Sequence, residues 1–168
     1  ARIALQARQP GVDDMILALP ADQREDPGLT MDRFRWRVKA KFHDGARDLM
    51  LAASTSAEAL RVPELWAQMR VDYARLAMRQ GDWALAERLA AQHFLTPDNP
   101  HYSDLEWLAG FAALHQGAGQ RALDHFRHLE TVVGSAISTA RALYWQGRAQ
   151  EALGDQAAAR AAYAGAAR

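Results

Sequence analysis

Apolar residues along the chain recur at helical spacing, and short turns centred on glycine separate the apolar segments. The turn glycines are Gly11, Gly45, Gly81, Gly117 and Gly154, so consecutive turns are 34, 36, 36 and 37 residues apart. A period in this range is typical of helical hairpins that stack on one another. Alanine, leucine, arginine and glutamine are abundant, and all four favour helix. The pattern therefore predicts an all-α fold made of stacked antiparallel helical hairpins.

The residues around the turns strengthen this prediction. Gly110 and Gly147 each precede a turn glycine by seven residues, and Phe126 and Tyr163 each follow one by nine. A small residue at a helix crossing, with an aromatic residue beside it, is close to the tetratricopeptide pattern. We expect a right-handed α-α superhelix, a tetratricopeptide-like solenoid, with residues 1–168 forming a single helical-repeat domain or a fragment of one. The predicted helices are residues 2–9, 12–19, 30–42, 46–53, 63–80, 83–92, 102–116, 119–132, 136–153 and 155–167.

Residues 33–42, RFRWRVKAKF, alternate basic and apolar side chains, and this pattern alone is typical of a half-buried strand. A turn follows the segment, as one follows the first helix of each later hairpin, and this favours a helix instead. On a helix, Phe34, Val38 and Phe42 form one apolar stripe, and Trp36 lies on nearly the opposite side. Two apolar stripes suit a helix that contacts both its hairpin partner and the neighbouring repeats. The sequence therefore predicts a helix here and no sheet in the chain.

The composition narrows the class of protein. Apolar residues make up 49% of the 168 residues, which is enough for a globular core. The formal net charge is zero, and this argues against a general nucleic-acid binder, which needs a basic excess. The chain has no cysteine, so disulfides, thiol catalysis and cysteine-based zinc sites are excluded. No apolar run approaches the roughly 20 residues of a membrane span, and no signal peptide is recognisable, so we expect no transmembrane segment.

Four segments carry a family resemblance. They read GDWALAERLAAQH at 81–93, DLEWLAGFAAL at 104–114, RALDHFRHL at 121–129 and ISTARALYWQGRAQEALGDQAAARAAYAGAA at 137–167. These segments, together with the basic RFRWRVKAK stretch, resemble the helical superhelix of the soluble lytic murein transglycosylase family. Generic tetratricopeptide repeats lack the Leu-Glu-Trp-Leu-Ala-Gly run that is followed here by Ile-Ser-x-Ala-Arg. One departure from the family is Ala136, where proline is common, so the entry angle of that hairpin is expected to differ.

The resemblance implies a function in the periplasm. In that family the superhelix precedes a lysozyme-like catalytic domain, which cleaves the MurNAc-GlcNAc bond of peptidoglycan to 1,6-anhydro products. One glutamate in a Glu-Ser motif acts as acid and then as base, and this chemistry needs a raised pKa. None of the seven glutamates of this chain precedes a serine. The resemblance therefore implies a non-catalytic scaffold that positions a glycan strand and the catalytic domain of the same parent chain.

Three basic residues are the predicted substrate contacts. Arg33, Arg37 and Lys41 form one ridge on the predicted helix. In one interpretation they are the solvated edge of a packed helix, with their aliphatic stems covering apolar neighbours. In the other, the ridge faces the substrate and attracts the carboxylates of peptidoglycan stem peptides, weakly and in a salt-dependent way. Both interpretations stay open at the level of sequence.

His125 and His128, three residues apart on a predicted helix, are the candidate metal ligands. The sequence places no carboxylate at ligand spacing beside them except Asp124, which points elsewhere, so we expect surface histidines, no metal site and no cofactor. The tryptophans are expected to pack in the core rather than to stack on sugars, because two of them occupy repeat positions. Ser135 and Ser138 lack recognisable His–Asp partners, so no nucleophile is expected.

A second function fits the repeat pattern equally well. A tetratricopeptide-like adaptor would bind a peptide on its concave face, without any glycan. Only the family resemblance favours the transglycosylase scaffold over this adaptor. The adjoining coding sequence distinguishes them, because a secretion signal upstream and a Glu-Ser domain downstream identify a transglycosylase.

Overall fold

The structure, a computed structural model, describes residues 1–7, 9 and 11–168. It is all-helical over these residues, with 75% of the chain in helix and no strand. The predicted all-α fold is confirmed, and the alternation in RFRWRVKAKF does not produce a strand. The twelve helices of the described residues are α1 (Arg2–Gln6), α2 (Val12–Leu17), α3 (Ala21–Arg24), α4 (Pro27–Lys39), α5 (His43–Ala53), α6 (Ala57–Leu60), α7 (Glu64–Arg79), α8 (Trp83–Ala91), α9 (Tyr102–His115), α10 (Gly119–Val132), α11 (Ala136–Ala152) and α12 (Gln156–Ala166).

The chain divides into two compact units, Ala1–Pro63 and Glu64–Arg168, called unit 1 and unit 2 below. Unit 1 contains α1 to α6, and four of these helices have only four to six residues. Unit 2 contains α7 to α12, and its shortest helix has nine residues. The single helical-repeat domain expected from the sequence stays a prediction.

The core of unit 1 forms where α1, α2 and α4 pack together. Asp32 is buried on α4, and its Oδ2 accepts hydrogen bonds from Nε of Arg2 at 2.7 Å and from Nε2 of Gln6 at 3.3 Å. This charged pair connects α1 to α4. The predicted helix at residues 2–9 ends at Gln6, and residue 8 lies outside the described part of the chain. The apolar core residues are Ala4, Leu5, Val12, Ile16 and Leu29, with Trp36 packed against them.

The start of α4 differs from the prediction because a side chain caps it earlier. Asp26 accepts a hydrogen bond from the backbone N–H of Leu29 at 2.8 Å, and Pro27 occupies the first helical position. The prediction began this helix at residue 30. The short helices α3 and α6 were not predicted, since four residues are too few to show a helical period.

The end of α4 also differs, because the helix stops three residues before the predicted one. The N–H of Phe42 donates to the carbonyl of Arg37 at 2.9 Å, and the N–H of Lys41 donates to that of Val38 at 3.1 Å. These two bonds form a Schellman motif, in which the residue after the helix C-cap adopts a left-handed conformation. That residue is Lys41, with a φ of 62°. The expected turn glycine, Gly45, lies inside α5 instead.

This early end moves Phe42 off the predicted apolar stripe. Phe34 is buried and Val38 is half-buried, as expected, but Phe42 is exposed. The ring of Phe42 stacks on that of Trp36, with centroids 5.8 Å apart and an interplanar angle of 20°. The prediction placed these two rings on nearly opposite sides of one helix. It is wrong for Phe42 because this residue follows the turn and does not belong to the helix.

Unit 2 contains three helical hairpins, α7–α8, α9–α10 and α11–α12, and each helix packs against the next along the chain. The hairpin turns contain predicted glycines at positive φ: 78° at Gly81, 72° at Gly117 and 81° at Gly154. Each turn repeats the two hydrogen bonds that end α4. Asp82 and Asp155 follow two of these glycines and cap α8 and α12 through backbone N–H groups. The predicted helices of unit 2 are therefore confirmed to within one residue at each end.

In two of these hairpins, an aromatic ring on the second helix packs against a glycine on the first. A Cβ atom at Gly110 would lie 2.7 Å from Cε1 of Phe126, and one at Gly147 would lie 2.3 Å from Cε1 of Tyr163. Real Cβ contacts are longer than this, so only glycine fits at either position unless the ring moves. The predicted pairing of a small residue with an aromatic residue is confirmed in α9–α10 and α11–α12.

Candidate functional site

The predicted basic ridge is not continuous in the structure. Arg33 and Arg37 lie on α4, whereas Lys41 follows the end of the helix in the left-handed turn position. Nη1 of Arg37 donates to the carbonyl of Gly45 at 2.6 Å, so this side chain helps to join α4 to α5. Burial, and then the charge of Arg37, lower the pKa of Arg33. A role of these residues in substrate binding stays a prediction.

In unit 2 a buried carboxylate is surrounded by histidines. Glu106 lies on α9, His125 and His128 lie on α10, and His93 follows α8. Oε1 of Glu106 is 3.2 Å from Nε2 of His93, and Oε2 is 2.6 Å from Nδ1 of His125 and 3.5 Å from Nδ1 of His128. We call these four residues the Glu106 cluster. It brings together three consecutive segments of the chain.

The hydrogen bonds of His93 show which of its ring nitrogens carries the proton. The backbone N–H of Leu95 donates to Nδ1 of His93 at 2.9 Å, so this nitrogen is unprotonated and accepts. Nε2 of His93 is then the nitrogen that donates to Oε1 of Glu106. The ring of Tyr102 packs edge-on against His93, with centroids 5.1 Å apart. These contacts hold the carboxylate of Glu106 in one orientation.

The cluster keeps Glu106 ionised. Burial by itself raises the pKa of this carboxyl, but hydrogen bonds from His125 and His93 outweigh burial and lower the pKa to about 2. Burial, and then the charge of Glu106, raise the pKa of the Tyr102 hydroxyl. A general acid for glycoside cleavage needs the opposite shift, a carboxyl pKa raised towards neutral pH. The arrangement therefore suits a permanent anion that binds cations or donors, and not a proton donor.

His125 and His128 do have a carboxylate beside them, which the sequence-based prediction did not find. Asp124 does point elsewhere, since its Oδ1 accepts from Nε2 of Gln120 at 2.9 Å, but a different carboxylate accompanies the histidines. Glu106 was missed because it is 19 residues before His125, and sequence spacing alone does not pair residues on adjacent helices. A signal was present, however, because Glu106 interrupts an otherwise apolar stretch of α9. A carboxylate at such a position requires partners from neighbouring helices.

A second feature of unit 2 is a series of aromatic rings in contact with one another. Trp83 stacks on His115 with centroids 4.0 Å apart, and Trp107 stacks on Phe111 at 4.9 Å. Phe111 also meets Trp145 edge-on at 5.1 Å. We call this set of five rings the aromatic series. It runs from α8 through α9 to α11, and its Trp and Phe side chains are half-buried, so packing between repeats accounts for most of its contacts.

One polar atom of the aromatic series has no hydrogen-bond partner among the described residues. It is Nε1 of Trp107, which is itself buried. The guanidinium carbon of Arg141 lies 4.6 Å from the centroid of the Trp107 ring, a cation–π distance. A basic side chain from α11 thus lies over this ring.

Two further buried or half-buried polar contacts of unit 2 connect neighbouring helices. Glu87 on α8 accepts hydrogen bonds from Nε of Arg121 at 2.6 Å and from Nε2 of Gln116 at 2.6 Å. Burial opposes ionisation of Glu87, but these donors outweigh it and lower its pKa. Nη1 of buried Arg70 donates to the carbonyl of Leu89 at 2.8 Å, and burial lowers the pKa of Arg70 to about 10. These contacts explain why charged residues are tolerated inside the repeat.

Comparison of the chain with protein-family models, curated proteins and solved structures finds no match. The resemblance to the lytic transglycosylase superhelix therefore stays a hypothesis that depends on the sequence segments quoted above. None of the helices in the described residues combines the length and apolar composition of a bilayer-spanning segment.

Proposed function

We propose that this chain is a non-catalytic scaffold segment of a periplasmic peptidoglycan lytic transglycosylase. Its role is to position a glycan strand and the lysozyme-like catalytic domain of the same parent chain for cleavage of the MurNAc-GlcNAc bond. In this proposal the hairpins stack into a right-handed superhelix of the tetratricopeptide-like kind. The observation that carries the proposal is the repeated hairpin of unit 2, which covers the segments with the family resemblance.

The chemistry of the buried glutamate supports the non-catalytic part of the proposal. Glu106 lies in DLEWLAGFAAL, one of the segments that carry the family resemblance. Burial raises the pKa of Glu106, but its histidine partners outweigh burial and lower the pKa to about 2. A lytic transglycosylase needs a glutamic acid that is protonated near neutral pH. We therefore expect the 168-residue chain to release no 1,6-anhydro-muropeptides from purified sacculi. Release of these products by the chain alone, and its loss in the Glu106→Gln variant, would overturn the proposal.

Glycan binding is the second part of the proposal, and the basic residues of α4 and its turn supply the test. Arg37 donates a hydrogen bond to the carbonyl of Gly45, whereas Lys41 is exposed. Substitution of Lys41 should therefore disturb folding less than substitution of Arg37. We expect the chain to bind soluble glycan fragments carrying stem peptides, and to bind less when Lys41→Gln and Arg33→Gln are combined. The two substitutions should weaken binding at about 0.01 M salt and should have no effect at about 1 M, where charges are screened within about 3 Å.

The control for this experiment is Arg79→Gln, which removes the same charge from an exposed position of unit 2. It should leave binding unchanged. Binding that is insensitive to salt and to all three substitutions would mean that the basic residues are only solvated surface. Binding to the stem peptide alone that is as tight as binding to the glycan fragment would favour the tetratricopeptide-like adaptor, because the glycan would then contribute nothing.

A further inference from the structure

The Glu106 cluster contains three groups with the chemistry of metal ligands, and the fold brings them to one point. They are Oε2 of Glu106 and a ring nitrogen from each of His125 and His128, all within 4.8 Å of one another. The two histidines are three residues apart on α10, so they project from the same face of that helix towards α9. A third histidine, His93, contacts the other oxygen of Glu106 and is not needed as a ligand.

We propose that Glu106, His125 and His128 bind a divalent transition-metal ion such as Zn²⁺. Two imidazole nitrogens and one carboxylate oxygen are a donor set that zinc accepts, with water completing a four-coordinate site. The ion would join α9 to α10 within one hairpin of unit 2. The proposal concerns binding, and it assigns no reaction to the metal. It is independent of the proposed peptidoglycan function.

The surroundings of Glu106 prepare it for this role. A metal ligand must be deprotonated and correctly oriented, and hydrogen bonds from outer residues normally supply both conditions. Here Nε2 of His93 donates to Oε1 of Glu106, and the backbone N–H of Leu95 fixes the His93 tautomer. The second oxygen, Oε2, remains directed at His125 and His128. His93 is thus a positioning residue for the proposed site.

The site is closed on one side and open on the other. Glu106 is buried, His125 is half-buried, and the His128 side chain is 58% exposed. An ion reaches the site past His128, and water from the same side can occupy the fourth position. Because the carboxylate is buried, a cation that neutralises its charge is favoured. Three exposed surface residues would offer a cation no such advantage.

Metal binding requires the ligand atoms to rearrange, beginning with one hydrogen-bonded pair. Nδ1 of His125 and Oε2 of Glu106 are 2.6 Å apart, which is a hydrogen-bond distance. Two ligands of one tetrahedral zinc ion, each about 2.0–2.1 Å from the metal, are about 3.3 Å apart. The pair must therefore separate by less than about 1 Å, and the ion takes the place of the proton on Nδ1 of His125, which is released to solvent. The separation of 3.5 Å between Oε2 and Nδ1 of His128 needs almost no adjustment.

The test is calorimetric titration of Zn²⁺ into the tag-free, EDTA-dialysed 168-residue chain. We expect one ion per chain, with affinity lowered at least about tenfold in His128→Gln. His128 is exposed, so this substitution is compatible with the folded chain. The matched control is His115→Gln, which changes another exposed histidine that stacks on Trp83 away from the Glu106 cluster, and it should keep full affinity.

A second measurement keeps the proposal testable if other surface groups also bind zinc. Co²⁺ substituted into the site should give the visible absorption of a four-coordinate nitrogen and oxygen environment, and His128→Gln and His125→Gln should each remove it. Absence of one-site binding in the native chain would overturn the proposal. So would equal affinity of the native chain and His128→Gln, or loss of the site in His115→Gln.

Discussion

In unit 1, α4 ends with the same two hydrogen bonds as the first helix of each hairpin in unit 2, but with different residues. In unit 2 the left-handed position of each hairpin turn is a glycine, at Gly81, Gly117 and Gly154. In unit 1 the equivalent position after α4 is Lys41, although Gly45 stands four residues later. The comparison shows that the backbone geometry of the Schellman motif defines the turn. Glycine makes this turn less costly but is not required for it.

The two units also differ in the kind of group that lies against a buried glycine. Gly110 and Gly147 of unit 2 each face an aromatic ring, whereas Gly28 of unit 1 faces the guanidinium groups of Arg2 and Arg61. A ring packed in a core cannot move without disturbing other residues, but the end of an arginine side chain can. We therefore expect unit 2 to be sensitive to changes of side-chain volume and unit 1 to be tolerant of them.

The largest expected effect is that of removing one ring of unit 2. Phe126 is fully buried against Gly110 and stacks on Trp145 with centroids 5.8 Å apart. Phe126→Ala leaves a cavity and should lower the free energy of unfolding by about 3–5 kcal/mol. Denaturation followed by tryptophan fluorescence measures this, since four of the five tryptophans lie in unit 2. A loss under about 1 kcal/mol would show that the ring is not part of a rigid core.

Acid should weaken unit 2 through Glu106. Burial raises the pKa of Glu106, but the histidine partners outweigh burial and lower the pKa from 4.5 to about 2. The folded chain therefore holds the proton of this carboxyl less tightly than the unfolded chain does. The stabilisation is complete above pH 4.5 and is lost as the pH falls towards 2. It amounts to about 3 kcal/mol, at about 1.4 kcal/mol for each factor of ten in proton affinity.

The measurement is the free energy of unfolding of unit 2 across this pH range. Glu106→Gln should be less stable than the native chain at neutral pH and should lose less stability on acidification. Equal pH dependence of the two proteins between pH 4.5 and 2 would contradict the assignment to Glu106.

Adding one methyl group at a glycine tests the difference between the units most directly. Gly147→Ala places a Cβ 2.3 Å from Cε1 of Tyr163 and should destabilise the chain by about 1–3 kcal/mol. The matched change in unit 1, Gly28→Ala, meets the guanidinium ends of Arg2 and Arg61 rather than a ring, so it should cost less than Gly147→Ala. Thermal unfolding of both variants measures this. Similar destabilisation by the two substitutions would remove the distinction between the units.

The smallest expected effect concerns Lys41. Lys41→Gly relieves a positive φ and should stabilise unit 1 by at most about 1 kcal/mol, because part of the gain is offset by the flexibility of glycine in the unfolded chain. The control is Lys41→Ala, which removes the same charge but keeps a Cβ at the same φ. Denaturant unfolding of the two variants separates backbone strain from charge. If both behave alike, the left-handed conformation carries no measurable cost.

Prediction of helices from the sequence was most accurate where the repeat was regular. In unit 2 the turn glycines, the Asp82 and Asp155 caps and the Gly110–Phe126 spacing all indicate the same hairpins, and the helix ends were predicted to within one residue. In unit 1 these signals conflict. Gly45 indicated a turn that the chain makes at Lys41, and the alternation of RFRWRVKAKF concealed where the helix ends.

The sequence alone determined the all-α class, the hairpins of unit 2 and the absence of a Glu-Ser motif from this chain, because these depend on local spacing and residue type. Only the tertiary structure decided the surroundings of Glu106. Its partners come from α10 and from the segment after α8, and residues this far apart in sequence meet only when the helices pack. The same packing shows a carboxylate that is held ionised among histidines, where the sequence showed only one glutamate among apolar neighbours.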